Sequence, residues 1–248
     1  MSSETRENAG RIVIVTGGAG GVGGRVTQRW LETGARVLAA DHREETLAKL
    51  REAYAAEPGA EPERLATVAV DLGTEEGAAA MVRAAEESFD GAPPDTLVHL
   101  VGGFGMGATD APDAAALFER MLHLNLRTAF FAYRAMLTPL RKRGGGWIVG
   151  IGSRASASPS AEMGAYAASK AGLEAWTKAL SAEVRGAGIH VNLVVATTID
   201  TPANRRESGE SAAAKWVRPD DVADATLFLC SDRARAAYGT TLEVFGLL

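Results

Sequence analysis

From Arg11 onward the chain alternates short apolar runs with amphipathic ones, and that rhythm narrows the folds open to it more than any other feature. RIVIVT (Arg11 to Thr16), RVLAAD (Arg36 to Asp41), LATVAVD (Leu65 to Asp71), TLVHLV (Thr96 to Val101), WIVGI (Trp147 to Ile151), HVNLVV (His190 to Val195) and TLEVF (Thr241 to Phe245) read as seven strands. The stretches between them have helical spacing: the first runs from Gly23 to Thr33 and stops at Gly34, and the second from Glu44 to Ala56. PGAEP, between Pro58 and Pro62, reads as a flexible insertion. Strands that lack a polar face and alternate with helices require a parallel sheet covered on both sides. The expectation is an α/β, doubly wound fold with a seven-stranded parallel sheet, one domain over residues 1–248, and a flexible stretch at 1–10. With 46% hydrophobic and 23% charged residues, the chain can bury the core this needs.

The first strand runs directly into TGGAGGVGG, Thr16 to Gly24. Glycines between a strand and a helix let backbone approach a pyrophosphate, which the unpaired N–H groups of the helix N-terminus attract. Two frames fit: Gly18, Gly20 and Gly23 give GxGxxG, while Gly17, Gly21 and Gly23 give GxxxGxG. No Gly-Lys-Ser/Thr follows, which disfavours a phosphoryl-transferring loop. Asp41 ends the second strand, where a carboxylate accepts hydrogen bonds from ribose hydroxyls and repels a 2′-phosphate. The cofactor expected is therefore NAD(H) in preference to NADP(H). Arg43, two residues on, softens that preference, and Asp41 is also a good helix N-cap.

The residues arranged for bond-making lie between Trp147 and Lys170. Gly152-Ser153 ends a buried strand, so Ser153 sits at its carboxyl end. From about Ser160 the chain becomes Ala-rich, with Ala165, Ala168, Leu173, Trp176 and Leu180 at helical spacing. Tyr166 and Lys170 then share a helix face. Carbonyl reduction needs a proton donor for the oxygen that turns negative as hydride arrives at carbon. A phenol with a pKa near ~10 is a weak acid at neutral pH, and a neighbouring ammonium is expected to lower it. A serine hydroxyl would hold the substrate oxygen. The plain alternative is an ordinary exposed Tyr/Lys pair. His99, inside an apolar strand, reads as a hydrogen-bonded core residue, and Cys230, in LFLC, as a small core residue.

A net charge of −5 gives no broad attraction to phosphate backbones or anionic membranes, so neither nucleic acid nor a membrane is an expected partner. One cysteine excludes an intrachain disulfide. No apolar run has signal-peptide or bilayer-spanning length. A cytoplasmic protein without a metal site is expected.

Taken together, TGxxxGxG at Thr16 to Gly23, Asp71 ending the third strand, Asn125 in LHLNLRTAFF, and Ser153, Tyr166 and Lys170 in order resemble the short-chain dehydrogenase/reductase family over nearly the whole chain. The resemblance implies a Rossmann fold and NAD(P)(H)-dependent interconversion of a ketone and a secondary alcohol. Tyr166 would be the acid/base and Ser153 the holder of the substrate oxygen. Lys170 would hold the nicotinamide ribose and tune Tyr166, and Asn125 would support a proton relay. It also implies cofactor contacts from Gly17, Gly21, Val22, Gly23, Asp41, Asp71, Leu72, Leu100, Ile199 and Thr201. A homotetramer, or failing that a homodimer, would form through helices that include Asp113 to Leu137 and Ala161 to Arg185.

Two departures stand out. His99-Leu100-Val101-Gly102 replaces the family's NNAG, and Ala196-Thr197 replaces Pro-Gly after the sixth strand. TIDTPANR and Gly102-Gly103-Phe104 resemble dihydropteridine reductases of the same family, which makes reduction of a pterin-type C=N bond an alternative. A second alternative is a cofactor-binding sensor or scaffold without turnover. The segment Thr197 to Trp216 has little apolar periodicity, and its position in the family implies a mobile lid. Arg205 and Arg206 are its candidates for meeting an anionic or carbonyl-rich small-molecule substrate.

Overall fold

The computed structural model describes residues 7–208 and 210–247. Strands β1 (Ile12–Thr16), β2 (Arg36–Asp41), β3 (Leu65–Ala69), β4 (Thr96–His99), β5 (Gly146–Ser153), β6 (Ile189–Ala196) and β7 (Thr241–Val244) form one sheet in the order β3-β2-β1-β4-β5-β6-β7. All six pairings are parallel. β1 and β6 are buried along their whole length, which is why they carry no polar alternation. Period-two geometry sends Ile12, Ile14 and Leu38 into one core and Val13, Val15 and Val37 into another, one on each face of the sheet.

Helices α1 (Gly23–Glu32), α2 (Glu44–Ala55), α3 (Glu75–Ser88), α4 (Ala114–Leu122), α5 (Thr128–Arg143), α6 (Gly164–Val184), α7 (Pro202–Ser208) and α8 (Pro219–Leu229) accompany the strands. Strand order reverses between β1 and β4, and the crevice that a doubly wound sheet opens there lies at the carboxyl ends of both.

The seven strands stand where the sequence puts them, with shifted ends. β3 stops at Ala69 and β4 at His99, short of Asp71 and Val101, because their neighbours β2 and β1 end opposite them at Asp41 and Thr16. β5 instead runs on through Ser153. The helix expected from about Ser160 begins at Gly164, and its inward stripe is Ala167, Lys170, Leu173, Thr177 and Leu180. Ala168, expected inward, is exposed. Residues 113–137 are not one helix: α4 and α5 are joined by a π-helical turn, His123–Arg127, with Asn125 at its centre.

Of the stretch expected to be flexible, residues 1–6 lie outside the described residues, but Asn8 is buried. Its N–H donates to the Thr33 carbonyl, and its side chain accepts from Arg11. The Thr197 to Trp216 segment is largely helical, as α7 followed by a 3₁₀ turn, Glu210–Lys215. The sequence signal for the helix is Thr201 before Pro202, a hydroxyl cap ahead of a proline at the first helical position. The Thr201 Oγ1 accepts from the Asn204 N–H at 3.2 Å.

At the amino ends of the strands, Arg11 lies between the rings of Trp30 and Trp147, 5.1 and 4.3 Å from their centroids. Its Nε donates to Asp95 Oδ1 at 3.0 Å, while Asp95 Oδ2 accepts from the Ile12 N–H at 2.8 Å. Asp95 is 2% exposed, so its removal strands a largely buried cation. Asp95→Ala should therefore lower unfolding stability by about 3–5 kcal/mol, read from urea denaturation midpoints. An unchanged midpoint would mean that Arg11 finds solvent once its partner is gone.

Candidate active site at the strand carboxyl ends

The glycine turn after β1 is built for close approach. A Cβ on Gly23 would overlap the Gly17 carbonyl oxygen, and Gly17 itself has φ +65° with Leu100 backbone 3.3 Å from where its Cβ would be. Helix α1 opens at Val22 without a side-chain cap and without an acidic residue in its first turn. Its N-terminus is thus open to an anion, and the pyrophosphate of a dinucleotide suits it. Thr201 covers Gly21, with its Cβ 3.4 Å from where a Gly21 Cβ would stand. The residues present fit a nicotinamide dinucleotide.

Asp41 is buried at the end of β2. Its Oδ1 accepts from the His42 N–H at 2.8 Å, and the exposed His42 ring lies 3.1 Å away. It caps no helix: Arg43 occupies the N-cap of α2. Asp71 is exposed and holds its own turn, accepting from the Gly73 N–H at 2.8 Å. Leu72 packs into the core, leaving its backbone as the part that can reach an adenine. Leu100 lies half-buried beyond β4, its N–H bonded to Thr16. Ile199 is half-buried and bridges to Val217.

The replacement of NNAG by His-Leu-Val-Gly has a definite structural consequence. His99, 1% exposed, contacts the Thr16 hydroxyl through Nδ1 at 2.8 Å and the Thr128 hydroxyl through Nε2 at 3.4 Å. Burial first, and the charge of Lys170 second, push its pKa down to about 3. It is a neutral core residue and no acid/base. Gly102 has no room for a side chain: its Cβ would lie 2.7 Å from Asn125 Oδ1 and 3.4 Å from Lys170 Nζ.

Asn125 is fully buried with its amide committed. Oδ1 accepts from the Gly103 N–H at 2.9 Å, while Nδ2 donates to the Gly103 carbonyl at 3.0 Å and to Ser169 Oγ at 3.0 Å. Ser169 donates in turn to the Tyr166 carbonyl at 2.7 Å. The π turn therefore ties the loop after β4 to the helix that carries Tyr166 and Lys170. Ser169 was not visible as a functional partner in the sequence, since a serine in an Ala-rich helix gives no signal of its own.

Lys170, 6% exposed, donates from Nζ to the Ile151 carbonyl at 2.8 Å, and burial lowers its pKa to about 8. Tyr166 departs from expectation. Its pKa is raised, because burial disfavours the phenolate more than the hydrogen bond with Ser153 favours it. The anticipated lowering by Lys170 is absent, and that ammonium is engaged by a backbone carbonyl. Ser153 Oγ also accepts from the Ala155 N–H at 3.2 Å, which fixes the hydroxyl at the mouth of the site.

Ser153 and Tyr166 line a cavity of about 660 Å³ together with Val22, Ile199 and Thr201. Its apolar wall comes from Phe104, Met106 and Met163, and the Phe104 ring stands edge-on to Tyr166 at 5.0 Å. Phe104 entered the sequence reading only within Gly102-Gly103-Phe104, and Met106 and Met163 not at all, because apolar residues in loops carry no periodic signature. Arg205 does not line this cavity: it is paired with Asp200, Nη2 to Oδ2 at 2.7 Å. Cys230 is buried and its thiol is pushed up to about 12, so it is inert.

Comparison with known proteins agrees with this geometry. The family model described as short chain dehydrogenase matches residues 11–211. The chain is 30% identical to 3beta-hydroxysteroid dehydrogenase 2 of Eggerthella lenta, over 98% of both chains. It is also 30% identical to 2,5-dichloro-2,5-cyclohexadiene-1,4-diol dehydrogenase LinX of Sphingobium indicum, over 96% of both. Its structure superposes on 3-ketoacyl-(acyl-carrier-protein) reductase from Brucella melitensis, solved with NADH, with a TM-score of 0.81 at 25% identity, covering 96% of this chain and 98% of that one. A glycine turn open to a pyrophosphate, with Ser153 and Tyr166 on one cavity and Lys170 buried beside it, thus comes with matching sequence along its length, and the chain belongs to the short-chain dehydrogenase family, NAD(P)-dependent oxidoreductases of hydroxyl and carbonyl groups.

Proposed function

We propose that this chain works as a single-domain, cytosolic dehydrogenase that prefers NAD(H) and interconverts a secondary alcohol and a ketone, with Tyr166 as acid/base. The observation that carries the reading is the shared cavity of Ser153 and Tyr166, above a helix that brings Lys170 against the end of β5. A bound nicotinamide dinucleotide supplies or takes the hydride. In reduction, Ser153 donates a hydrogen bond to the carbonyl oxygen and Tyr166 passes its proton to the oxygen as negative charge develops there. The raised pKa of Tyr166 keeps the phenol protonated, the form needed for that step. Lys170 offers the only charge this buried set contains and is positioned for a ribose hydroxyl, and Asn125 holds the backbone on which the relay stands. The relatives' names carry hydroxysteroid and diol chemistry, and neither the pterin C=N alternative nor a scaffold without turnover draws support from them. No helix among the described residues is long and apolar enough to cross a membrane.

Preference for NAD(H) rests on Asp41, whose carboxylate has the His42 ring beside it and, among the described residues, no lysine or arginine paired with it, while Arg43 is exposed. Assembly as a homotetramer, or a dimer, rests on the outer face of α5 and α6. There Phe130 is 42% exposed and packs 5.3 Å from Trp176 beside a groove of about 720 Å³.

Replacing Tyr166 with Phe should leave the Kd for NADH near wild type and lower kcat by at least ~100-fold. Undiminished turnover would remove Tyr166 from the chemistry. Asp41→Ala should shift the ratio of NADPH to NADH affinity toward NADPH, and a wild-type protein that already binds NADPH more tightly would overturn the reading of Asp41. Lys170 is charged below about pH 8 and neutral above it, so NADH affinity should weaken as pH rises through that value. Lys170→Arg, which does not titrate there, should flatten the profile, and a break of the same size in that variant would assign it to another group.

A further inference from the structure

The cavity that holds the reacting groups carries one charge and no countercharge. Arg154 lies on its wall, on the 3₁₀ turn Arg154–Ser156 that directly follows Ser153. The turn is pinned by the Arg154 carbonyl, which accepts from the Ala157 and Ser158 N–H groups at 3.1 and 3.0 Å. The guanidinium is laid over the ring of Phe245 at 5.5 Å from its centroid. Stacking engages the face of the guanidinium and leaves its edge of N–H donors for another partner. Among the described residues no carboxylate pairs with it, and none lines the cavity. Several other arginines are placed differently: Arg25, Arg29, Arg51, Arg134, Arg205 and Arg218 each have a carboxylate. The uncharged lining divides in two. Phe104, Met106 and Met163 offer apolar surface, and Ser158, Ser160 and Asn204 offer hydroxyl and amide groups.

We propose that Arg154 is a specificity-determining residue that binds an anionic group, a carboxylate or sulfonate, on a substrate whose apolar body lies against Phe104, Met106 and Met163. The inference deepens the dehydrogenase reading and rests on it. It moves the anion-binding role away from Arg205, which Asp200 neutralises, to a residue adjacent in sequence to Ser153. A substrate anchored at Arg154 and polarised at Ser153 is held at two points, which fixes the carbonyl relative to Tyr166.

The test uses the full chain saturated with NAD⁺ and two probes of nearly equal shape, benzenesulfonate and the neutral methyl phenyl sulfone, titrated calorimetrically. Wild type should bind the sulfonate at least ~10-fold more tightly, the scale of charge-assisted hydrogen bonds. Arg154→Ala should abolish that preference with the sulfone's Kd held within about twofold, and Arg154→Lys should retain part of it. Arg154→Gln, which keeps length and hydrogen bonding without charge, repeats the loss if the Ala variant folds poorly. No preference in wild type, or a preference surviving in both uncharged variants, would overturn the proposal. NADH-dependent reduction of a panel of neutral and anionic ketones by wild type is a separate readout: no turnover on any of them defeats the dehydrogenase reading whatever the sulfonate does, and turnover without sulfonate preference defeats only the role of Arg154.

Discussion

The buried amide of Asn125 is the contact on which the arrangement of this site depends. A parallel sheet delivers its chemistry at the carboxyl ends of its strands, but it does not by itself set how the loop after β4 stands relative to α6. One side chain does that here, with its oxygen and nitrogen both bonded to Gly103 and the nitrogen shared with Ser169. A regular helix through 113–137 would carry Asn125 on a different rotation. The π turn, by adding residues within one helical turn, brings its side chain inward, and π turns are found most often where function needs such a displacement. Gly102 is the complement, since any side chain there would strike Asn125.

Burial then sets the electrostatics. Lys170 is held as a cation by a carbonyl in a site that favours neutral amines, and Tyr166 is held as a phenol in a site that disfavours phenolate. Both shifts have the same origin, removal from water, and they move the two groups apart on the pH scale, the lysine down and the tyrosine up. In the proposed reduction, Tyr166 thereby keeps the proton it would give when charge develops on the substrate oxygen. His99 shows the same effect without a function: two threonine hydroxyls occupy its nitrogens, and burial leaves it neutral.

The sheet was legible because strands buried on both faces leave an unbroken apolar signature, and the glycine turn because backbone crowding at Gly17 and Gly23 admits no other residue. Ser153, Tyr166 and Lys170 were legible as types at a spacing, although the direction of the Tyr166 shift was not, since burial depends on what packs above the helix. The π turn at 123–127 was invisible for a related reason: its residues have ordinary helical propensity, and only the demand of Asn125 for Gly103 and Ser169 distinguishes it. Residues 202–208 were read as a loop because polar, arginine-rich sequence hid a short helix whose signal is Thr201-Pro202.

Global charge and local charge point in opposite directions here, and distance decides which governs the substrate. The chain carries a net charge of −5, which disfavours the approach of an anion from afar. At physiological ionic strength that field decays over about 8 Å, so the scattered surface carboxylates act weakly on a molecule already inside the cavity. Within it, Arg154 is the charged group on the wall and its neighbours are hydroxyls, an amide and apolar side chains. A ligand laid over Phe104, Met106 and Met163 would exclude water from that side and strengthen its interaction with the charge. Selection inside such a site is governed by the nearest charge, and an acidic protein can hold an anion-selective pocket as long as its carboxylates stay outside.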